Sequence, residues 1–160
     1  MPELDVAELT RKHRPWADQI VREVWGASIV VSRGRIHNPA ELPGFVALLD
    51  GRPAGLATYT IADGSCELVT IDSLVPDSGV GTALVEAVRN AAWQAGCHRL
   101  WLVTTNDNTH ALRFYQRRGF VLAGLHRNAL AESRRLKPQI AERGHDGIPI
   151  RDELELELRL

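Results

Sequence analysis

The chain has 160 residues, 44% of them hydrophobic and 24% charged, with a formal net charge of −1. That length supports one domain with a real core, and the composition is ordinary for a water-soluble globular protein. The near-neutral balance leaves no electrostatic footprint for nucleic acid or for an anionic membrane.

Two cysteines, Cys66 and Cys97, are too few for a disulfide framework, and neither stands at a metal-binding spacing, so reduced thiols and no metal site are expected. Residues 1–20 mix Glu3, Asp5 and Glu8 with several bases and hold no apolar signal-peptide core. No apolar run approaches membrane-spanning length. A cytoplasmic location follows as the expectation.

In chain order, Leu4–Leu9 is a candidate first strand. Pro15–Trp25 reads as a helix, with proline suited to the first turn and Trp16, Ile20, Val21, Val24 and Trp25 forming a stripe. Residues 34–44 are polar and broken by glycine and proline. Phe45–Asp50 and Ala54–Ile61 read as a hairpin, with Asp50-Gly51 as the turn signal. Residues 65–75 (SCELVTIDSLV) read as another strand, which Pro76, Asp77, Ser78 and Gly79 end. After Gly81 a helix is expected, its apolar stripe made by Leu84, Val85, Val88, Ala91, Ala92 and Ala95, with Gly96 as its stop.

The junction Leu74–Leu84 (LVPDSGVGTAL) is therefore strand, glycine loop, helix. Glycines let a phosphate approach the backbone, and the free N–H groups of a helix start attract it. A P-loop lacks its Lys and Ser/Thr here, and a dinucleotide fingerprint lacks its third glycine, Leu84 standing in that place. An acyl-CoA pyrophosphate loop, bound mainly by main-chain amides, remains open, as does a purely structural turn.

Arg99–Thr105 (RLWLVTT) reads as a buried strand. In NDNTHALRFYQRRGF, residues 106–120, Asn106 and Asp107 offer helix-capping oxygens, and Asn108, Ala111, Leu112 and Tyr115 share one helical face. Arg117 and Arg118 suit the end of the helix dipole, and Gly119 a left-handed cap. A polar Asn and a phenol on one face at a strand end suggest a ligand site; the plain alternative is a core tyrosine and a simple cap. Phe120–Gly124 resumes a strand. Ala129–Lys137 reads as a helix stopped by Pro138, and 138–151 as a loop. Asp152–Leu160 alternates as a half-buried strand, with Leu154, Leu156, Leu158 and Leu160 on one face. The basic cluster Arg134, Arg135 and Lys137 reads as a solvated helix face.

Taken together, the two motifs resemble the GNAT superfamily of N-acetyltransferases. That family carries Q/R-x-x-G-x-G/A at a strand-to-helix junction, followed by a strand and a helix of the form N-x-x-A-x-x-x-Y-x-x-x-G-F. Asn108, Ala111, Tyr115, Gly119 and Phe120 match the second element at every position. Gly79, Val80 and Gly81 match part of the first, with Pro76 at the Gln/Arg position in a segment several residues shorter than usual. The likeness covers about residues 45–125.

The resemblance implies a single mixed α/β domain over 1–160. Its sheet is mostly antiparallel and flanked by helices, with the acyl-CoA site at a splay between central strands. It implies an N-acetyltransferase that moves the acetyl group of acetyl-CoA to a primary amine, or else a non-catalytic acyl-CoA-binding domain of the same fold. The roles it implies are main-chain contacts to the pantetheine arm from Leu74 and Val75, and pyrophosphate binding by Gly79, Val80, Gly81 and Thr82. Asn108 would hydrogen-bond the arm, and Tyr115 would protonate the departing thiolate. Glu67 is the expected base; Asp72, five residues on along the same strand, is its rival and is expected on the opposite face.

No histidine earns a role. Acceptors are expected between 16–37 and 126–152, where Trp16, Trp25, Asp146, Asp152 and Glu153 are candidates to hold a small amine, against packing of both tryptophans in the core. The last strand is expected to present an edge for pairing in a homodimer.

Overall fold

A computed structural model describes residues 2–160. Nine strands are joined by four helices: β1 (Leu4–Glu8), α1 (Arg14–Trp25), β2 (Val30–Ser32), β3 (Arg35–His37), β4 (Gly44–Leu49), β5 (Arg52–Ala62), β6 (Ser65–Ser73), α2 (Val80–Gln94), β7 (Arg99–Thr105), α3 (Thr109–Arg117), β8 (Val121–His126), α4 (Ala129–Leu136) and β9 (Glu153–Arg159). Seven strands form one sheet in the order β1-β4-β5-β6-β7-β9-β8, antiparallel except between β6 and β7. This is the mixed, mostly antiparallel sheet flanked by helices that the sequence suggested.

Local chemistry explains most boundaries. Asp50 (φ 50°) and Gly51 (φ 78°) both adopt left-handed backbone, the turn that matches the twist of the β4–β5 hairpin. Pro15 occupies the first turn of α1 and Gly26 closes it at φ 81°. The α2 stripe buries Val80, Leu84, Val85, Val88 and Ala92 against Ala57, Cys66, Leu68, Leu100 and Leu102 on one face of the sheet. The other face packs Val46 and Leu56 against Ala17, Ile20 and Val21 of α1. Gly55 permits the first of these contacts: a Cβ there would lie 2.4 Å from Val80 Cγ1 and 2.9 Å from the Asp72 carbonyl.

Three expectations change. The stretch read as irregular contains β3, which pairs with β2 in a short hairpin. β9 is no edge: it lies between β7 and β8, pairing with both. The homodimer expectation loses its basis, since that strand's hydrogen-bonding groups are already used. Its acidic alternate positions meet bases rather than water, with Glu155 and Glu157 on Arg99, and Glu153 on Arg33 at 2.9 Å.

The third change lies in β6. Thr70 pairs with Thr58 and Leu68 with Tyr59, which leaves Val69 as an extra residue in the ladder. A bulge of this kind inverts the alternation beyond it. Glu67 lies opposite Thr60 and Asp72 opposite Leu56, positions of like parity on β5. Asp72 therefore shares a face with Glu67, the side covered by α1, and is not on the opposite face.

Candidate active site

β6 and β7 pair only through Ser65–Glu67 with Arg99–Trp101, then part. The gap opens into a cavity of about 550 Å³ lined by Leu68, Ile71, Asp72 and Ser73 of β6, Leu102 and Thr104 of β7, and Asn108 and Tyr115 of α3. Trp25 at the end of α1 and His145 in the late loop complete its wall.

Main-chain groups of β6 face this gap in alternation. The Leu74 N–H donates to the Ala54 carbonyl at 2.8 Å, so Leu74 and Asp72 turn their main chain toward β5, and Ile71 and Ser73 turn theirs into the gap. Of the pair named from sequence, Leu74 has its N–H committed to the sheet. The Val75 carbonyl is also engaged, accepting from Ser73 Oγ at 2.9 Å and Ser78 Oγ at 2.6 Å. Ile71 and Ser73 went unremarked in the sequence because the direction of a strand's amides depends on its neighbour's register.

A second cavity, of about 440 Å³, adjoins the first and shares Ser73, Gly81, His110 and Phe114 with it. Its floor is the loop from Pro76 to Gly79 and the first turn of α2, which begins at Val80 with Gly79 as a left-handed cap at φ 81°. Ala83 donates the first ladder bond, to the Gly79 carbonyl, so the amides of Val80, Gly81 and Thr82 lie outside the helix ladder, and that of Val80 meets Ser78 Oγ at 3.4 Å. Gly81 also allows close packing, as a Cβ there would sit 3.0 Å from Phe114 Cζ.

The opposite wall carries Arg113, Arg117 and Arg118. Arg118 stacks 3.6 Å from the Phe114 ring centroid and donates to Thr82 Oγ1 at 2.6 and 3.0 Å, which occupies that hydroxyl. Arg117 and Arg118 were read as helix-end charges, yet they face the glycine loop. The signal was available: His110, Arg113 and Arg117 recur at helical spacing on one side of α3. These bases supply the positive charge that Pro76 cannot.

Asn108, not Asn106 or Asp107, caps α3, its Oδ1 accepting from the Ala111 N–H at 3.1 Å. Its amide nitrogen remains for a ligand. Asn106 instead ties down the late loop, donating to the Pro149 carbonyl at 2.9 Å and accepting from the N–H groups of Arg151 and Asp152 at 3.0 and 2.9 Å. Asp107 accepts from the His145 N–H at 3.1 Å.

Tyr115 is 7% exposed, with Phe114 and Phe120 edge-on at 5.3 and 5.5 Å between ring centroids. Burial, and then the charge of Asp72, push its phenol well above the ordinary range, so it keeps its proton at neutral pH. Asp72 accepts from Trp25 Nε1 at 3.1 Å; burial raises its carboxyl to about 6 and the indole hydrogen bond opposes that rise.

Glu67 sits at the vertex of the splay, 4% exposed, accepting from Ser32 Oγ at 2.5 Å. His37 Nε2 lies 3.8 Å away without a hydrogen-bond partner. Burial raises the Glu67 carboxyl, while Ser32 and Arg35 act against it. The cavity's lining on β6 begins one residue later, at Leu68. Asp152 and Glu153, considered as amine ligands, are held by Arg151 and Arg33. Trp16 packs on the α1 core, whereas Trp25 also lines the cavity.

The profile of the Acetyltransferase (GNAT) family matches residues 6–120. This chain belongs to that family. Among similar proteins, YdhI, an uncharacterized protein of Bacillus subtilis, is 43% identical over 131 residues, 81% of this chain and 82% of that protein. A second, YxbD of the same organism, is 41% identical over 133 residues, 82% of this chain and 84% of that protein. The fold matches the IAA acetyltransferase of Bacillus cereus with a TM-score of 0.75 at 17% identity, covering 99% of this chain and 100% of that one. It also matches a GNAT acetyltransferase of Elizabethkingia anophelis with acetyl-CoA bound, at TM-score 0.74 and 16% identity over 98% of each chain.

Proposed function

We propose that this GNAT protein is an N-acetyltransferase that moves the acetyl group of acetyl-CoA to a primary amine of a small molecule. The observation that carries the reading is the pair of adjoining cavities, one basic and glycine-floored, the other lined by Tyr115 in the β6–β7 splay. A diphosphate fits the first: the amides of Gly81 and Thr82 meet it from the helix start, and Arg113, Arg117 and Arg118 from across the groove. Ile71, Ser73 and Asn108 offer hydrogen bonds along the second to an extended amide-bearing arm. Tyr115, kept protonated, stands where it can give its proton to a departing thiolate.

The acceptor enters beside Trp25 and His145, under a late loop fastened by Asn106 and Asp107. A fastened loop over a cavity of this size suits a small molecule better than a folded protein. The arginines of α3 support cofactor binding, which the non-catalytic alternative shares; Tyr115 on the cavity wall is what favours the enzyme over it.

Thermal unfolding with acetyl-CoA, with NAD and ATP as controls, tests the reading without knowledge of the acceptor. A ligand that binds only the folded chain raises Tm. A rise with acetyl-CoA well above both controls is expected; equal or absent shifts would contradict it.

A further inference from the structure

Two carboxylates of β6 face the same side of the sheet, and they differ in what they reach. Glu67 is closed in at the vertex by Ser32 and the β2–β3 hairpin. Asp72 lines the open cavity together with Tyr115, and the Trp25 indole fixes its orientation. The Val69 bulge produces this: without the extra residue, Asp72 would point to the α2 side, away from α1.

We propose that Asp72, held in place by the Trp25 indole, is the catalytic group that takes the proton from the acceptor amine. Glu67 instead anchors the β2–β3 hairpin over the vertex. The inference rests on the acetyltransferase reading and deepens it, because a lone carboxylate beside an aromatic wall selects an acceptor that arrives as an alkylammonium ion. Asp72 faces Leu56 across β5, Trp25 from α1, and Tyr115 and His110 around α3, with His145 on the cavity wall. Among the described residues no basic side chain forms an ion pair with it to compete with an incoming ammonium.

The protons balance. The ammonium gives one proton to Asp72, which passes it to solvent. The amine nitrogen then bonds to the thioester carbonyl carbon, and the carbon–sulfur bond breaks. The thiolate takes a proton from Tyr115, which the second nitrogen proton restores. The third stays on the amide.

The consequence is an acid limb in kcat/KM that reports Asp72, near the value of about 6 to which burial raises it. The indole hydrogen bond favours the carboxylate, so its removal raises that value, and Trp25→Phe shifts the limb to higher pH. A merely structural tryptophan would leave the limb in place.

The test follows thiol release from acetyl-CoA with ethylamine, phenylethylamine and spermidine as probes. Both free cysteines are buried, and the Cys66 thiol is pushed up to about 12, so released coenzyme A dominates the signal. Asp72→Asn is expected to lower kcat/KM by about a hundredfold or more while keeping the Tm rise with acetyl-CoA. Its loss should exceed that of Glu67→Gln by about tenfold. A loss in Glu67→Gln as large as in Asp72→Asn, or an unmoved acid limb in Trp25→Phe, would overturn the assignment. Release that survives Asp72→Asn would overturn it while leaving the acetyltransferase reading intact. No release by the unaltered protein with any amine would overturn that reading and this one with it.

Discussion

Asp72 is a carboxylate placed where folding alone would not choose one. Burial holds its native value above the ordinary range, so the folded chain binds this proton more tightly than the unfolded chain does. Stability from the protonated form is present at low pH and is lost as pH rises through about 6. Asp72→Asn removes that loss. Its Tm relative to the unaltered protein is therefore expected to climb between about pH 5 and about pH 7. Scanning calorimetry at both ends checks this, and a Tm difference that falls with pH would reverse the sign assigned to the carboxyl. At the same scale, Arg113 and Arg117 face the glycine loop without the hydroxyl contact that occupies Arg118. The double change to Ala should weaken acetyl-CoA by tenfold or more, since a charge-assisted hydrogen bond is worth about 1.5–3 kcal/mol. S-acetylpantetheine, which lacks the diphosphate, should bind both proteins equally by calorimetric titration.

Helices and hairpins with clear punctuation were legible in the sequence. Asp50-Gly51 marked the β4–β5 turn, the leucine–valine stripe marked α2, and the N-x-x-A-x-x-x-Y pattern marked α3. The β2–β3 hairpin was not, because strands of three residues carry too little periodicity to register. The Val69 bulge was hidden for a different reason: it exists only in the register between β5 and β6, and no local residue signals it. Asn106 and Asn108 are chemically alike and two residues apart, so which of them caps the helix depends on where the late loop runs. Asn106→Ala removes the bonds to Pro149, Arg151 and Asp152, and is expected to raise the acceptor KM severalfold while leaving that of acetyl-CoA unchanged. Steady-state kinetics with each substrate varied in turn separates the two. Gly55→Ala presses a methyl onto Val80 and the Asp72 carbonyl, and an overpacked core contact costs about 1–3 kcal/mol. Denaturant unfolding should show that loss in the midpoint.

For the whole molecule, the sheet is one continuous object until β6 and β7 part, and everything chemical gathers at that parting. α2 brings a helix start to one side of it, α3 brings Asn108, Tyr115 and the arginines, and α1 brings Trp25 from the opposite face of the sheet. The succession of elements along the chain was legible from the family pattern, but the place of the last strand in the sheet was not. Its alternating leucines suited an edge as well as an interior place, and only the insertion between β7 and β8 decides it. The glutamates of that strand bond to Arg33 and Arg99, which closes the vertex and leaves the open end of the splay for substrate.

Acetyl transfer at Tyr115 is decided by comparing thiol release by the unaltered protein and by Tyr115→Phe at saturating acetyl-CoA. Amine-dependent release is expected from the first. In the second, kcat is expected to be lower by about a hundredfold, with acetyl-CoA affinity unchanged, because the phenyl ring fills the same space without a proton to give. Equal turnover by the two proteins would contradict it.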